Sequence, residues 1–420
     1  MKLIGVRVDP PPSIWYEERM SAVRFVKRSV AMVVNDFGRY PMNTFLAVGD
    51  ANGDSRKDIV VGARDGRMVW LENPGPGRES EVWKEHLIDP SVQVECGGSV
   101  ADLTGSGLSD VIAAGDWRCD EIWWWENPGK NISWKKRLVL KTGRPKFHDT
   151  VIGDAFNDGS RALVATNQGR EGGTAVWCLR IPDNPRQSPW SDARIVAEGL
   201  AEEVTGPDGT VLKLQPEEGI AVGDVDGDGR NEIVCGTHWF RQEKGAWRGF
   251  QFCRGYVTTK VAIADIDGDG QNEILLSEGD PCICGKTQGG KAAWFKPGKR
   301  TEDPWEEHLL EEGLLDGHTL CVADFTGNGL VDIVIGEIGV ADDVRGYRIR
   351  PPRIYAFLNN GQGRFCRSVI DEGTGIHDGV LCDIDGDGRP DLVGRPLHGR
   401  ERWRVHIYWT RAESSQGLSG

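Results

Sequence analysis

Polar and apolar positions change over quickly along this chain. Segments 83–88, 134–139, 190–196, 305–310 and 365–370 each open on an aromatic residue and then alternate with period two, as a half-buried antiparallel strand does. Other strands carry Trp and run into turns: Trp70-Leu71-Glu72-Asn73-Pro74-Gly75, Trp124-Trp125-Glu126-Asn127-Pro128-Gly129 and Trp294-Phe295-Lys296-Pro297-Gly298. Pro-Gly is a strong turn signal, because Pro presets its φ and Gly accepts the left-handed conformation. No segment holds a helical stripe, so the chain is predicted to be all-β, and a helical solenoid is set aside.

These strands belong to a repeat. An apolar stretch, then Asp-x-Asp-Gly-Asp-Gly-x-x-Asp/Glu, then Ile/Leu-Val, has its clearest copies at Asp224, Asp265 and Asp383. Weaker copies begin at Asp50, Asp102 and Asp324, and the most eroded at Asp154. The seven copies are spaced by 52, 52, 70, 41, 59 and 59 residues, and 420 residues over seven units is 60 each, room for four short strands. The expected fold is a seven-bladed β-propeller of four-stranded antiparallel blades, a single domain over 1–420. Blades are expected at 41–89, 93–139, 145–197, 216–254, 256–310, 315–370 and 374–410, with strands A to D running outward from the axis. The last unit lacks strand D. Segment 22–30 contains Phe25-Val26-Lys27-Arg28-Ser29-Val30, which matches Phe365-Cys366-Arg367-Ser368-Val369, so this N-terminal strand is expected to close the ring. Segments 182–189 and 197–215 lengthen the third interval, and 338–353 should overhang the channel mouth.

The repeat resembles the FG-GAP/VCBS family over about residues 40–410. That resemblance implies a seven-bladed propeller, as in integrin-type heads and several carbohydrate-active proteins, and it implies calcium in the acidic loops. The residues agree, since oxygen ligands at alternate positions of a tight loop suit a hard cation that takes six to eight of them. Repeat one supplies Asp50, Asn52, Asp54 and Asp58. Repeat four supplies Asp224, Asp226, Asp228, the Arg230 carbonyl and Glu232. Repeat five supplies Asp265, Asp267, Asp269 and Glu273, and repeat seven supplies Asp383, Asp385, Asp387 and Asp391. Repeats two and six carry Thr104, Ser106, Thr326 and Asn328 instead, and Phe156 and Ala162 disable repeat three. An EF-hand is rejected, because position twelve falls on Val61, Cys235, Leu276 and Gly394.

The acidic loops join A to B and lie on one face. Chemistry is expected on the other, where the D-to-A and B-to-C connections ring the channel mouth. Six residues before each loop stand Thr44, Cys96, His148, Glu218, Thr259, His318 and His377. Three of the eight His thus share one equivalent position. Together with His238 they are the candidate acid/base residues of a polar funnel. Trp117 and Trp239 would stack a sugar, Arg395 or Arg170 would pair with a uronate carboxylate, and Arg64, Glu218 and His398 would complete the binding surface. Two or three of the His could equally hold Zn2+ or another metal, or simply bond blade-to-blade carbonyls. Propeller polysaccharide lyases, including ulvan and rhamnose–glucuronate lyases, look like the nearest functional parallels. They imply a carbon–oxygen lyase acting on a uronate-bearing carbohydrate. The alternatives are a non-catalytic, calcium-stabilised module that binds glycan or protein, and a sugar dehydratase.

Composition adjusts this picture at the margins. Gly, at 56 residues against an average usage of about 7 %, over-supplies turns. A net charge of −14, spread along the chain, argues against a nucleic-acid partner. No apolar run is long enough to span a bilayer. A soluble monomer is expected. The start lacks the apolar stretch of a signal peptide and the Cys read as free thiols, both of which suggest cytoplasm, whereas calcium loops suit an extracellular or periplasmic setting.

Overall fold

Seven four-stranded antiparallel sheets stand around a central axis in a computed structural model that describes residues 23–78, 80–129, 132–168, 174–205, 211–215, 217–281, 286, 289–339 and 350–412. Blade one consists of Asn43–Gly49, Asp58–Ala63, Gly66–Glu72 and Lys84–Val92. Blade two follows with Val94–Ala101, Asp110–Gly115, Glu121–Glu126 and Lys135–Lys141, and blade three with Phe147–Gly153, Ala162–Asn167, Ala175–Arg180 and Arg194–Glu198. Blade four holds Ile220–Gly223, Glu232–Cys235, His238–Glu243 and Ala246–Gln251, and blade five Thr259–Ala264, Glu273–Glu278, Gly290–Lys296 and Glu306–Leu314. Blade six holds Thr319–Ala323, Asp332–Gly336, Arg353–Asn359 and Phe365–Glu372. Blade seven joins Asp378–Cys382, Asp391–Arg395 and Arg404–Ala412 to the N-terminal strand Val23–Met32, which pairs antiparallel with Arg404–Ala412. The ring is therefore closed by the segment the sequence nominated. A short hairpin, Glu202–Thr205 with Val211–Leu214, occupies the long third interval.

Strand A of each blade packs on strand A of the next, and blade seven returns to blade one. The apolar core is correspondingly divided into seven layers, one between each pair of neighbouring blades. The period-two geometry of the strands does this. In strand B of blade one, Ile59 and Val61 face blade seven while Val60 faces blade two. Both faces of each inner strand are thus apolar.

Blades diverge outward from the axis, so the gap between them widens. Glycine serves the narrow end: a Cβ on Gly98 would lie 1.9 Å from the Phe45 ring, and one on Gly336 would lie 1.9 Å from Ile376. Tryptophan fills the wide end, where Trp70, Trp124, Trp125, Trp177, Trp239, Trp294 and Trp409 of the C strands are all buried.

A ring of side-chain latches ties the blades on the acidic-loop face. Asn73, Asn127 and Asn359, at the end of strand C or one residue past it, donate to the carbonyls of Ile384, Ala51 and Ile266 in the preceding blades. Arg161, Asn231, Asn272 and Arg389 do the same to Asp102, Asp154, Asp224 and Phe325. Every junction between blades carries one such bond. Among the described residues, no helix is long and apolar enough to cross a membrane.

Candidate functional site

The matched strand-A positions do meet at the axis, but they form a sealed cluster rather than an open funnel. Cys96, His148, Glu218, His318 and His377 are all buried, and the three imidazoles are 2–6 % exposed. His148 Nε2 lies 2.8 Å from Glu218 Oε1 and 2.8 Å from Cys96 Sγ, and its Nδ1 donates to Asp149 Oδ1 at 2.8 Å. His318 Nε2 lies 2.7 Å from the same Glu218 oxygen, and its Nδ1 donates to the His377 carbonyl at 2.7 Å. His377 stacks on His318 with ring centroids 4.2 Å apart and faces the Arg395 guanidinium at 3.4 Å. Lys260 Nζ bonds Asp149 at 3.0 Å.

Electrostatics sorts these rings. Burial opposes charge on His148, but the neighbouring Cys96 and Glu218 charges hold its pKa well above the usual histidine value. Burial and Lys260 likewise oppose charge on His318, yet Glu218 pushes it up to about 10. His377, buried and facing His318 and Arg395, is held well below the usual value and stays neutral. Glu218 goes well below an ordinary carboxyl, because its two imidazole neighbours outweigh the cost of burial.

Other predicted site residues fare differently. Trp239 is fully buried between blades four and five, so it cannot stack a sugar. Arg395 is also buried and donates to the Asn43 carbonyl, which removes it as a uronate clamp. Arg64 is committed to Glu95 at 2.6 Å. His238 sits apart at the start of its C strand beside Thr237, and burial together with Arg254 pushes it down to about 4. His398 is half-buried in the B-to-C connection of blade seven. Arg170 and most of 338–353 lie outside the described residues. Position matching missed Asp149 and Lys260, each one residue beyond a matched position. A Lys inside an apolar strand, Thr259-Lys260-Val261, was the available signal.

Trp117 alone keeps the predicted exposed ring, at 43 %. Tyr40 meets it edge-on at 5.2 Å, and the Arg118 guanidinium lies over both rings, 5.6 Å from Trp117 and 5.0 Å from Tyr40. Arg118 is itself clamped by Asp65 at 3.0 Å and by Asp116. A second recess, of about 760 Å3, runs between blades one and two on the outer rim. Its floor residue Trp70 is covered by His86, stacked at 4.0 Å, so it offers no free aromatic face.

On the opposite face, three carboxylates converge in each of three loops: Asp224, Asp226 and Glu232; Asp265, Asp267 and Asp269; Asp383, Asp385 and Asp391. Burial and then neighbouring acids push Asp58, Glu232, Glu273 and Asp391 up to about 7. Strand-C cations partly offset that charge, with Arg241 on Asp226 at 2.8 Å, Lys296 on Asp269 at 2.7 Å and Arg411 on Asp385 at 2.6 Å. Three acids against one cation still leave each loop negative, and hard oxygen donors of this kind fit calcium. In repeat one, Asn52 stands in for a carboxylate and donates to Asp54.

A model of the FG-GAP-like repeat matches residues 224–276 and 324–394. The chain carries FG-GAP-like repeats. Both matched stretches include a three-carboxylate loop, Asp224 to Glu232 in the first and Asp383 to Asp391 in the second. The propeller is similar in fold to the BP39L lectin from Burkholderia pseudomallei, with 12 % identity, a TM-score of 0.54 and coverage of 90 % of this chain and 97 % of that one. It is also similar to BBS1N in its complex with ARL6DN, with 10 % identity, a TM-score of 0.50 and coverage of 93 % and 97 %. The Vibrio cholerae biofilm matrix protein Bap1 aligns over 91 % of both chains with 12 % identity and a TM-score of 0.48. No curated protein sequence matches this chain.

Proposed function

We propose that this propeller is a non-catalytic, calcium-stabilised module that binds carbohydrate through the Trp117 platform at the channel mouth. The observation that carries the reading is the braced, exposed indole. A solvent-facing Trp held in one orientation by Tyr40 and Arg118 loses little freedom when a sugar face stacks on it. Arg39, whose guanidinium lies 5.4 Å from the Tyr40 ring, supplies a cation beside the platform for an acidic sugar. The architecture is one that BP39L, by name a lectin, also uses. The acidic loops on the far face would hold calcium and stiffen the scaffold.

Elimination across a uronate linkage is the second reading, and the axial imidazoles are the observation that favours it. Their burial counts against it, because a polymer must reach the base. One experiment separates the two: titrate a panel of neutral and uronate glycans into wild type and Trp117→Ala, and follow ultraviolet absorbance in parallel. Binding weakened at least about tenfold by Trp117→Ala, with no unsaturated product, supports the binding module. Product formation, or binding indifferent to Trp117, overturns it.

A further inference from the structure

We propose that the axis holds a buried divalent transition-metal site of the zinc class, ligated by Cys96 Sγ, His148 Nε2, His318 Nε2 and Glu218 Oε1. The donor set comes from blades two, three, four and six, so one ion would tie four of the seven blades across the axis.

The geometry argues for it atom by atom. The Cys96, His148 and His318 donors lie within 4.8 Å of one another, and Glu218 Oε1 sits at 2.8 and 2.7 Å from the two ring nitrogens. His318 Nε2 and Glu218 Oε1 are each about 99 % buried at the side chain, and both point into the cluster, where the near polar atoms are those of the same donor set. Both rings are held from behind. Nδ1 of His148 donates to Asp149 and Nδ1 of His318 to a backbone carbonyl, and this fixes the tautomer that turns each Nε2 lone pair inward. Thiolate, imidazole and carboxylate in a closed four-donor set is the composition zinc selects. Bonds of about 2.0–2.3 Å in a tetrahedron put donors roughly 3.3–3.7 Å apart, so the cluster need open by less than about 1 Å. Charge agrees: a Cys96 thiolate, Glu218 and Asp149 against Lys260 leave two negative charges, which one divalent ion balances. The alternative is a metal-free network in which a protonated imidazole sits between the acids.

The test is metal content and spectroscopy on the full chain, in excess calcium so that the acidic loops do not compete. The proposal expects about one tightly held zinc per chain. It also expects a cobalt-exchanged protein with a thiolate-to-cobalt charge-transfer band and intense tetrahedral d–d bands. Cys96→Ser should abolish the charge-transfer band, and His318→Gln should lower zinc affinity by at least about tenfold. The cobalt spectrum of wild type stands even if a variant fails to fold. Wild type that takes up no zinc, or a thiolate band that survives Cys96→Ser, would overturn the site. Because the readout is metal and not glycan, it fails or stands independently of the Trp117 reading.

Discussion

His238 and Trp239 are neighbours in one strand, and they show how much a single side chain's fate depends on register. Strand C of blade four sends Trp239 into the layer against blade five, whereas His238 stays half-buried beside Thr237. Its depressed pKa has a consequence for stability. The unfolded ring titrates near 6.5 and the folded ring near 4, so between those values the unfolded chain binds more protons. Stability is therefore lost as pH falls from about 6.5 toward 4, by up to roughly 3 kcal/mol from this group. Denaturant unfolding of wild type and His238→Gln at saturating calcium should show the difference shifting toward the variant across that window. A difference flat with pH would contradict the assignment. Sequence could not foresee these burials: Trp117 and Trp239 looked alike as B-to-C neighbours, and only three-dimensional packing between blades separates them.

At the level of the repeat, the acidic loop was legible because its chemistry is compressed into a few positions of one local window. Its last carboxylate proves to have a structural duty as well. In repeats two and six, which lack the middle acids, Asp110 and Asp332 still accept from the second loop residue and from the Asn at the end of strand C or one residue past it. That explains why the ninth position stays acidic in repeats two and six, whereas repeat three, with Ala162 there, has lost it. In the sequence, Asn73 and Asn127 read only as turn formers in Glu-Asn-Pro-Gly, because their partners lie in another blade. Asn127 donates to Ala51 and Ser109 carbonyls. Asn127→Ala should cost about 2–3 kcal/mol in chemical denaturation, and a loss under about 0.5 kcal/mol would deny the latch its role. Chelation of calcium should lower the melting temperature by roughly 2–5 °C, and less in Asp224→Asn combined with Asp265→Asn. An identical melting curve with and without calcium would count against the loops as metal sites.

Across the whole molecule, the ring is closed by only one non-sequential strand, Val23–Met32, and removing it exposes an edge of blade seven and takes Val30 out of the layer shared with blade one. A chain lacking residues 1–32 should melt lower and self-associate in light scattering. A monomer of unchanged stability would contradict closure as a source of cohesion. The closing segment was visible in sequence because it repeats the strand-D pattern of blade six. The sealing of the axis was not, since it arises only when seven A strands converge and bring Lys260 and Asp149 among the imidazoles. Convergence buries the imidazoles, while the Trp117 ring outside the cluster stays exposed. The most direct test is equilibrium binding of a glycan panel to wild type, Trp117→Ala and His318→Gln. The account predicts that Trp117→Ala loses binding while folded His318→Gln keeps it. Binding or turnover that depends on His318 and ignores Trp117 would contradict it.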